Sequence, residues 1–292
     1  TRAEMMVELL AGDRWNLFMT SFSALHCAGH HLWHLHDPTH PWNRSAGKRV
    51  LDPLHTIYRA VDESVGVVID ALPDDASVLL LAGPGMGPSY VRPELLDDIL
   101  VALEHGATSP TRDLNRALRS LWRRTPSAWR RASAGLAKSV AGSLRARDRS
   151  ERRFFAVDTN DSVGGIRINL QGREPGGLIA PEDLETICNE LIGEISAVRV
   201  ADSGEPLARD VFRSAEAYAG NHLDHLPDVL VEWNQSSPIT AVESPRIGSL
   251  VQDRLPDLSG THTDQLFACI RRPDRRPGHL PIGGTRSNGE PP

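Results

Sequence analysis

The chain has 292 residues, of which 40% are hydrophobic and 24% charged, and its formal net charge at pH 7 is −6. These proportions are near those of ordinary globular proteins, so they exclude a wholly disordered chain. No run of about 18 apolar residues occurs, so no membrane-spanning helix is predicted. The three cysteines are far apart and form no CxxC pair. A reducing, cytoplasmic location is therefore expected, without a disulfide framework or a zinc ribbon.

Helical and apolar segments alternate at the start of the chain. Residues 3–10 are predicted to be helical, and the apolar-rich residues 15–23 to be strand-like. A histidine-dense loop is expected over residues 26–40. Apolar residues recur at helical spacing over residues 54–72, which predicts a long helix that ends at a turn cluster.

A short apolar run and a glycine-rich segment follow this helix. Residues 77–82 read SVLLLA, which is typical of a strand buried on both faces. Residues 83–88 are expected to form a glycine-rich loop whose backbone N–H groups are candidates for holding a phosphate. The Walker A pattern is absent, so this signal is weak by itself. Residues 93–103 are predicted to be helical, with Pro93 in the first turn.

The second half of the chain again alternates strands with helical sequence. A helix is predicted over residues 181–197, where proline and acidic residues occupy the first turn. The segments with strand character are residues 154–157, 165–170, 211–212, 228–233 and 266–270. This alternation predicts an α/β fold with a mostly parallel central sheet flanked by helices. Ligands bind at the carboxyl ends of strands in such sheets, so the histidine-dense loop and the glycine-rich loop are expected at one edge.

The charge is distributed unevenly. Residues 110–153 contain 13 Lys and Arg against 3 acidic residues, a local net charge of +10, whereas the remainder carries −16. We interpret this segment as a basic helical insertion with a solvated outer face, because aromatic residues are few. Binding to nucleic acid or to an anionic membrane surface is the alternative. The predicted organisation is a core of residues 1–109 and 154–270, the insertion at 110–153, and a Pro/Gly-rich tail at 271–292.

Half of the twelve histidines lie between residues 26 and 40. Neutral imidazole is the commonest side-chain metal ligand, and His26 and His30 would share one face if this segment were helical. The HExxH pattern is absent, which excludes that class of zinc protease. The alternative is a set of hydrogen-bonded histidines beside Trp33 and Trp42, which we favour for the members other than His26 and His30.

Several further polar residues are candidates with ordinary structural explanations. His262 lies in the sequence SGTHTD, where a glycine-containing loop could bring it into a site built elsewhere, although a lone loop histidine is more often structural. Cys27 is interpreted as a packed thiol. Asn169, Arg173 and Glu174 are interpreted as parts of a hydrogen-bonded turn, and Asp228 is expected to cap a turn rather than to bind metal.

Six sequence blocks occur in a familiar order. In chain order they are SFSALHCAGHHLWHLHDPTHP, YRAVD, LLLAGPGMGP, GGIRINLQGREPGGLI, LPDVLVEW and GTHTD. Together they resemble the alkaline phosphatase superfamily, specifically bacterial proteins of the type I phosphodiesterase/nucleotide pyrophosphatase group. The resemblance extends over residues 15–270, and the AGHHLWH and IRINLQGREP blocks are its most specific parts.

This resemblance implies a set of site residues. A carboxylate-x-x-x-His pair that binds one of two catalytic metals, usually zinc, falls on His26 and His30, and a third ligand falls on His262. The Asp-His pair of the second metal falls on Gly83 and Pro84, which have no side-chain ligand atoms. One metal site is therefore expected, and the second is degenerate. The Thr or Ser nucleophile is expected upstream of residue 1.

The implied function is a metal-dependent hydrolase of phosphodiester, pyrophosphate or sulfate esters, acting on a small-molecule ester and impaired in this chain. The alternative is a non-catalytic protein with the alkaline phosphatase fold that serves as a binding or scaffold protein. A nucleic-acid or membrane-surface module built on residues 110–153 is a third possibility.

Overall fold

A computed structural model describes residues 1–43, 52–92, 94–106, 149–159, 162–252, 256–273 and 275–279. The chain divides into two compact units, the first formed by Thr1–Ser89 with Leu258–Pro292 and the second by Tyr90–Asp257. Among the described residues, no helix combines the length and the apolar character that crossing a membrane would require.

The helices and strands are numbered along the chain. The helices are α1 (Arg2–Gly12), α2 (Ala24–His36), α3 (Pro53–Asp70), α4 (Leu95–His105), α5 (Leu184–Ser196) and the short α6 (Ser214–Ala217). The strands are β1 (Val78–Ala82), β2 (Gly85–Pro88), β3 (Phe154–Val157), β4 (Val163–Ile168), β5 (Arg199–Val200), β6 (Ala208–Arg213), β7 (Val229–Trp233), β8 (Ala241–Ser244), β9 (Gly248–Val251), β10 (Gly260–Thr263), β11 (Phe267–Arg272) and β12 (Arg275–His279).

The described part of the first unit contains three helices and two small sheets. Thr1 and Glu4 form a capping box at the start of α1, and the Asp52 side chain accepts a hydrogen bond from the backbone N–H of His55 at the start of α3. Helix α2 packs against α3, and a small apolar cluster joins Met6 of α1 to Val68 of α3. Strands β1, β11 and β12 form one antiparallel sheet, and β2 pairs with β10 in another.

The larger apolar core lies in the second unit. An antiparallel sheet in the order β3-β4-β7-β6 packs with α4 and α5, and β5, β8 and β9 form a second antiparallel sheet. The largest fully buried side chains of this core are Leu95, Ile99, Leu100, Ile166, Ile168, Ile195, Leu207, Ile239, Ile247, Leu250, Val198 and Val229. Removing this apolar surface from water is the main force that holds the unit together.

The fold is a mixed α/β one, but the predicted parallel sheet is not found among the described strands. Their ladders are all antiparallel, and the one parallel pairing is an isolated bridge between Leu170 and Ile179. Antiparallel neighbours need only a short connection, as between β8 and β9, whereas parallel neighbours need a long crossover. Alternation along the chain indicated many of the elements but not which strands pair.

Several local predictions also differ from the structure. Residues 15–23 form no strand, and most of the predicted histidine-dense loop is helix α2. Residues 85–88 of the predicted glycine-rich loop pair with β10 as a strand, and part of the predicted tail forms β12. The insertion at 110–153 lies outside the described residues except for its last five. The boundaries predicted at residues 109, 153 and 270 stay predictions.

Strand β1 is also less buried than its apolar sequence predicted. Leu79 and Leu81, which point to the same face of the sheet, are 57% and 64% exposed. An apolar run in a sequence marks a strand well, but its burial depends on what covers the sheet.

Candidate metal centre

Helix α2 places two imidazoles on one face. His26 and His30 are one helical turn apart, so their side chains lie one above the other, and their ring centroids are 4.7 Å apart. His30 is buried on the packed side of the helix, whereas His26 is exposed. The helix therefore offers one fixed and one solvent-facing nitrogen donor.

Strand β10 brings a third imidazole to the same place. His262 lies opposite Met86 in the ladder between β10 and β2, and not in the loop that the sequence predicted. Its ring centroid is 5.0 Å from that of His26 and 4.8 Å from that of His30. The Nε2 atom of His262 is 3.3 Å from Nδ1 of His26, and each of the three rings offers a ligand nitrogen within 4.8 Å of the other two.

Two glycines allow the strands and the helix to approach this closely. A Cβ atom at Gly260 of β10 would lie 2.2 Å from the carbonyl oxygen of Gly29 in α2. A Cβ atom at Gly29 would lie 2.8 Å from the side chain of Met86 in β2. Any larger residue at Gly260 would push the strand away from the backbone of the helix, and the convergence of the imidazoles depends on that contact.

A backbone carbonyl orients His30. The Nδ1 atom of His30 lies 2.8 Å from the carbonyl oxygen of Gly260, and a carbonyl can only accept a hydrogen bond. Nδ1 therefore carries the proton, and Nε2 keeps its lone pair for a metal. Neither the sequence pattern nor the spacing of histidines indicated Gly260 as part of the site.

The buried Ser259 reinforces the same contact. Its backbone N–H and its hydroxyl group both donate to the carbonyl oxygen of His30, over 2.9 and 3.2 Å. Its hydroxyl oxygen also lies 3.3 Å from the backbone nitrogen of His34, which donates to it, and 3.0 Å from Nδ1 of the same residue. Ser259 thus ties β10 to two successive turns of α2.

Three other histidines of this segment have structural contacts. His34 and His40 both pack against the ring of Trp42, and His36 donates from Nδ1 to Asp52 over 2.7 Å. Burial lowers the pKa of His40, although the charge of Asp37 opposes this effect. His34, His36 and His40 therefore have contacts of the kind that the structural interpretation predicts. Cys27 is exposed, so its interpretation as a packed thiol was wrong.

In the second unit, ion pairs and hydrogen bonds hold the turn that contains Asn169, Arg173 and Glu174. Both oxygens of the Asp228 carboxylate accept from Arg173, over 2.8 and 2.7 Å, and one of them also accepts from the backbone N–H of Ile168. Glu174 accepts from Arg173 and from Arg167, and Asn169 donates to the carbonyl oxygen of Arg152. Burial works to lower the pKa of Arg173, but its bonds to Asp228 raise that pKa on balance. These residues therefore hold the turn, and Asp228 does so as an ion-pair partner.

A sequence model of one family matches nearly the whole chain. The family is described as "Type I phosphodiesterase / nucleotide pyrophosphatase", and the match covers residues 1–263. The chain belongs to this family. Its membership is consistent with the alkaline phosphatase superfamily that the sequence blocks resemble, and all three converging histidines lie within the matched range. Searches of curated proteins and of solved structures gave no match.

The converging imidazoles fit the divalent metal that type I phosphodiesterases generally use. With Zn–N bonds of about 2.0–2.1 Å and tetrahedral geometry, two ligand nitrogens lie about 3.3 Å apart. The separation between His262 and His26 is 3.3 Å. A set of three neutral nitrogen donors suits zinc and other borderline metals better than magnesium or calcium, which prefer oxygen.

The resemblance implies that the ligands of a second metal would fall on Gly83 and Pro84. Gly83 and Pro84 connect β1 to β2 and bring no side-chain ligand atom. A Cβ atom at Gly83 would lie 2.8 Å from Cβ of Leu266, so the space beside Gly83 is taken by an apolar side chain. Within the described residues, the ligand-type group at this place consists of the three histidines.

Proposed function

We propose that this family member holds one divalent cation, zinc in the first instance, on His26, His30 and His262, and that its hydrolysis of phosphate or sulfate esters is impaired. The observation that carries this proposal is the convergence of three imidazoles from α2 and β10, with each ring offering a ligand nitrogen within 4.8 Å of the other two. The fixed donor role of His30 Nδ1 supports it further, because that role leaves Nε2 free to bind.

The residues of the chain would share the work of such a site. When bound, the cation would supply Lewis acidity toward a phosphoryl or sulfuryl oxygen. His30, fixed by Gly260, would set the position of the centre within the fold. The exposed His26 would keep one side open to solvent, where a small ester has access. Three protein donors leave one tetrahedral position for a water molecule or a substrate oxygen.

We propose that hydrolysis is impaired because the ligands of a second metal are missing. Without ligands at Gly83 and Pro84, the site would lack the second positive charge that two-metal phosphoesterases use to stabilise both the attacking and the leaving oxygen. We assign no nucleophile among the described residues.

The same replacement favours a second candidate function. A family member that binds one cation and lacks the other ligand pair could keep the fold as a binding or scaffold protein. The two functions share the metal centre and differ in turnover. The nucleic-acid or membrane role of residues 110–153 and the cytoplasmic location stay predictions from sequence.

Zinc binding to the full chain tests the metal centre. We expect His262→Ala to remove the tightest zinc-binding event seen by titration calorimetry, while His55→Ala, which removes an exposed histidine of α3, leaves it intact. Circular dichroism checks that both variants fold. The metal centre is refuted if His262→Ala binds zinc as tightly as the unaltered chain.

Turnover separates the two candidate functions. We expect slow hydrolysis of bis(4-nitrophenyl) phosphate with added zinc, and we expect His262→Ala to abolish it. Zinc binding without any turnover would support the binding or scaffold protein instead. Fast, zinc-dependent turnover by this chain would contradict the proposed impairment.

A further inference from the structure

A second cluster of metal-ligating side chains lies in the second unit, on a short 3-10 turn at Leu223–His225. His222, Asp224 and His225 each offer a ligand atom, and these atoms all lie within 4.8 Å of one another. The two imidazole rings are 5.5 Å apart between centroids and inclined at 65°. This cluster shares no residue with the three-imidazole centre.

The geometry of the turn explains why these side chains meet. A 3-10 turn has three residues per turn, so the side chains of residues three apart lie directly above one another. His222 and His225 have this spacing, and the backbone N–H of His225 donates to the carbonyl oxygen of His222 over 3.1 Å. Asp224 lies beside them, with one carboxylate oxygen 3.7 Å from Nε2 of His225.

The sheet of the second unit fixes the carboxyl end of this turn. The carbonyl oxygen of Leu226 accepts a hydrogen bond from Arg167 of β4 over 2.7 Å. Two residues later, the backbone N–H of Asp228 donates to the carbonyl oxygen of Ile166 over 2.8 Å. Because these bonds fix the backbone at the end of the turn, binding an ion costs mainly the conformational freedom of the three side chains.

We propose that His222, Asp224 and His225 form a separate binding site for a borderline divalent transition metal such as Zn²⁺, Ni²⁺ or Cu²⁺. Two imidazoles and one carboxylate suit these ions, whereas Mg²⁺ and Ca²⁺ prefer sites built from oxygen. All three side chains are exposed, so the remaining coordination positions face water and the ion exchanges freely. This site binds zinc more weakly than a centre with a buried, oriented ligand.

The test uses the full chain with His262→Ala, so that the three-imidazole centre does not contribute. Zinc is added in a calorimetric titration, and the same titration is repeated with His225→Asn added. We expect the zinc affinity to fall at least about tenfold. Losing a metal ligand should cost at least as much affinity as losing a residue that only hydrogen-bonds to a ligand. Asp224→Asn is expected to weaken binding as well, and magnesium is expected not to compete.

His105→Asn is the matched control in the same background. His105 is an exposed histidine whose Nε2 atom is 3.9 Å from the carboxylate of Glu104, so it forms the same kind of pair. Among the residues that the structure describes, it belongs to no group of three ligands. We expect this control to bind zinc unchanged. If His225→Asn also binds zinc unchanged, the cluster is only a surface ion pair and the proposal fails. That result would not affect the three-imidazole centre, which is judged by His262→Ala in the otherwise unaltered chain.

Discussion

The Nδ1 atom of His30 lies 2.8 Å from the carbonyl oxygen of Gly260, a residue 230 positions later in the chain. This one hydrogen bond joins helix α2 to strand β10 and sets which nitrogen of His30 faces the other two imidazoles. Its partner is a main-chain atom, so its strength depends on how closely the strand approaches the helix rather than on a particular side chain. Substitutions at Gly260 and Ser259 should therefore change the distance between strand and helix.

Replacing Gly260 with alanine is expected to separate the strand from the helix. The added Cβ atom would lie 2.2 Å from the carbonyl oxygen of Gly29, a backbone atom that cannot move without shifting α2. We expect a loss of about 1–3 kcal/mol in the free energy of unfolding, as for other overpacked sites, and weaker zinc binding. Denaturant unfolding and zinc titration measure the two effects.

Gly66→Ala provides the control for this substitution. Gly66 lies within α3 and nothing is within 4 Å of a Cβ atom added there, so alanine should leave stability unchanged or raise it. Unfolding of Gly260→Ala at the same denaturant concentration as the unaltered chain would contradict the proposed contact.

Ser259→Ala is expected to loosen α2 from β10 without adding bulk. The substitution removes the hydroxyl that accepts from the backbone N–H of His34 and donates to the carbonyl oxygen of His30. The backbone N–H of Ser259 still donates to the carbonyl oxygen of His30, so the cost is that of losing the hydroxyl's own hydrogen bonds, about 0.5–1.5 kcal/mol each. We expect a lower melting temperature and weaker zinc binding. Ser64→Ala, which removes a hydroxyl bound within α3, should change neither, and equal behaviour of the two variants would count against this role of Ser259.

Asp228→Ala is expected to destabilise the second unit strongly. The substitution removes the two-oxygen partner of the largely buried Arg173 guanidinium, which then keeps only its bond to Glu174. Because one carboxylate partner remains, the free energy of unfolding should fall by up to about 3–5 kcal/mol, the cost of breaking a fully buried pair. The double variant Arg173→Met, Asp228→Ala should lose less of this free energy than the single variant, because the partly buried guanidinium is removed together with its main partner. Denaturant unfolding of both variants gives the comparison.

An exposed ion pair of the same sheet provides the control for Asp228→Ala. Glu232→Ala, which removes the partner of the exposed Arg209, should cost no more than about 1 kcal/mol. If Asp228→Ala and Glu232→Ala lowered the free energy of unfolding by similar amounts, the burial of Arg173 would have no energetic consequence.

The three thiols are expected to react at very different rates. Burial raises the pKa of the Cys188 thiol to about 11, whereas Cys27 and Cys269 are exposed. Because the thiolate is the reactive form, a disulfide reagent at neutral pH should modify two thiols quickly and the third only after unfolding. Three thiols modified at similar rates in the folded chain would contradict the burial of Cys188.

The same pKa shift predicts that stability falls at high pH. Between the ordinary thiol pKa of 9.0 and about 11, the Cys188 thiol is ionised in the unfolded chain but still protonated in the folded one. The folded chain therefore binds more protons in this window, so raising the pH favours unfolding. Cys188→Ala should show a smaller decrease in the free energy of unfolding over the same pH range, and an equal decrease would mean that other groups cause it.

Local pattern predicted many of the elements but not their partners. The apolar runs at residues 154–157 and 228–233 became β3 and β7, and the periodic segment at 54–72 became α3. The segment around His26 and His30 was expected to be a loop, because its many histidines obscure the apolar spacing that marks a helix. Strand pairing is set by contacts between distant residues, so an alternating order of elements was compatible with parallel and antiparallel sheets alike.

By itself, the sequence determined the family and the types of residue that could bind a metal. It also determined that His26 and His30 share a face once the segment is helical, because that spacing is fixed by the period of the α-helix. The resemblance implied that His262 joins them, but only the tertiary structure shows how it does so from 236 positions away, through a close contact between the backbones of Gly260 and Gly29. The orientation of His30 was likewise decided by a backbone carbonyl, a group that every residue carries and that no sequence motif can therefore mark.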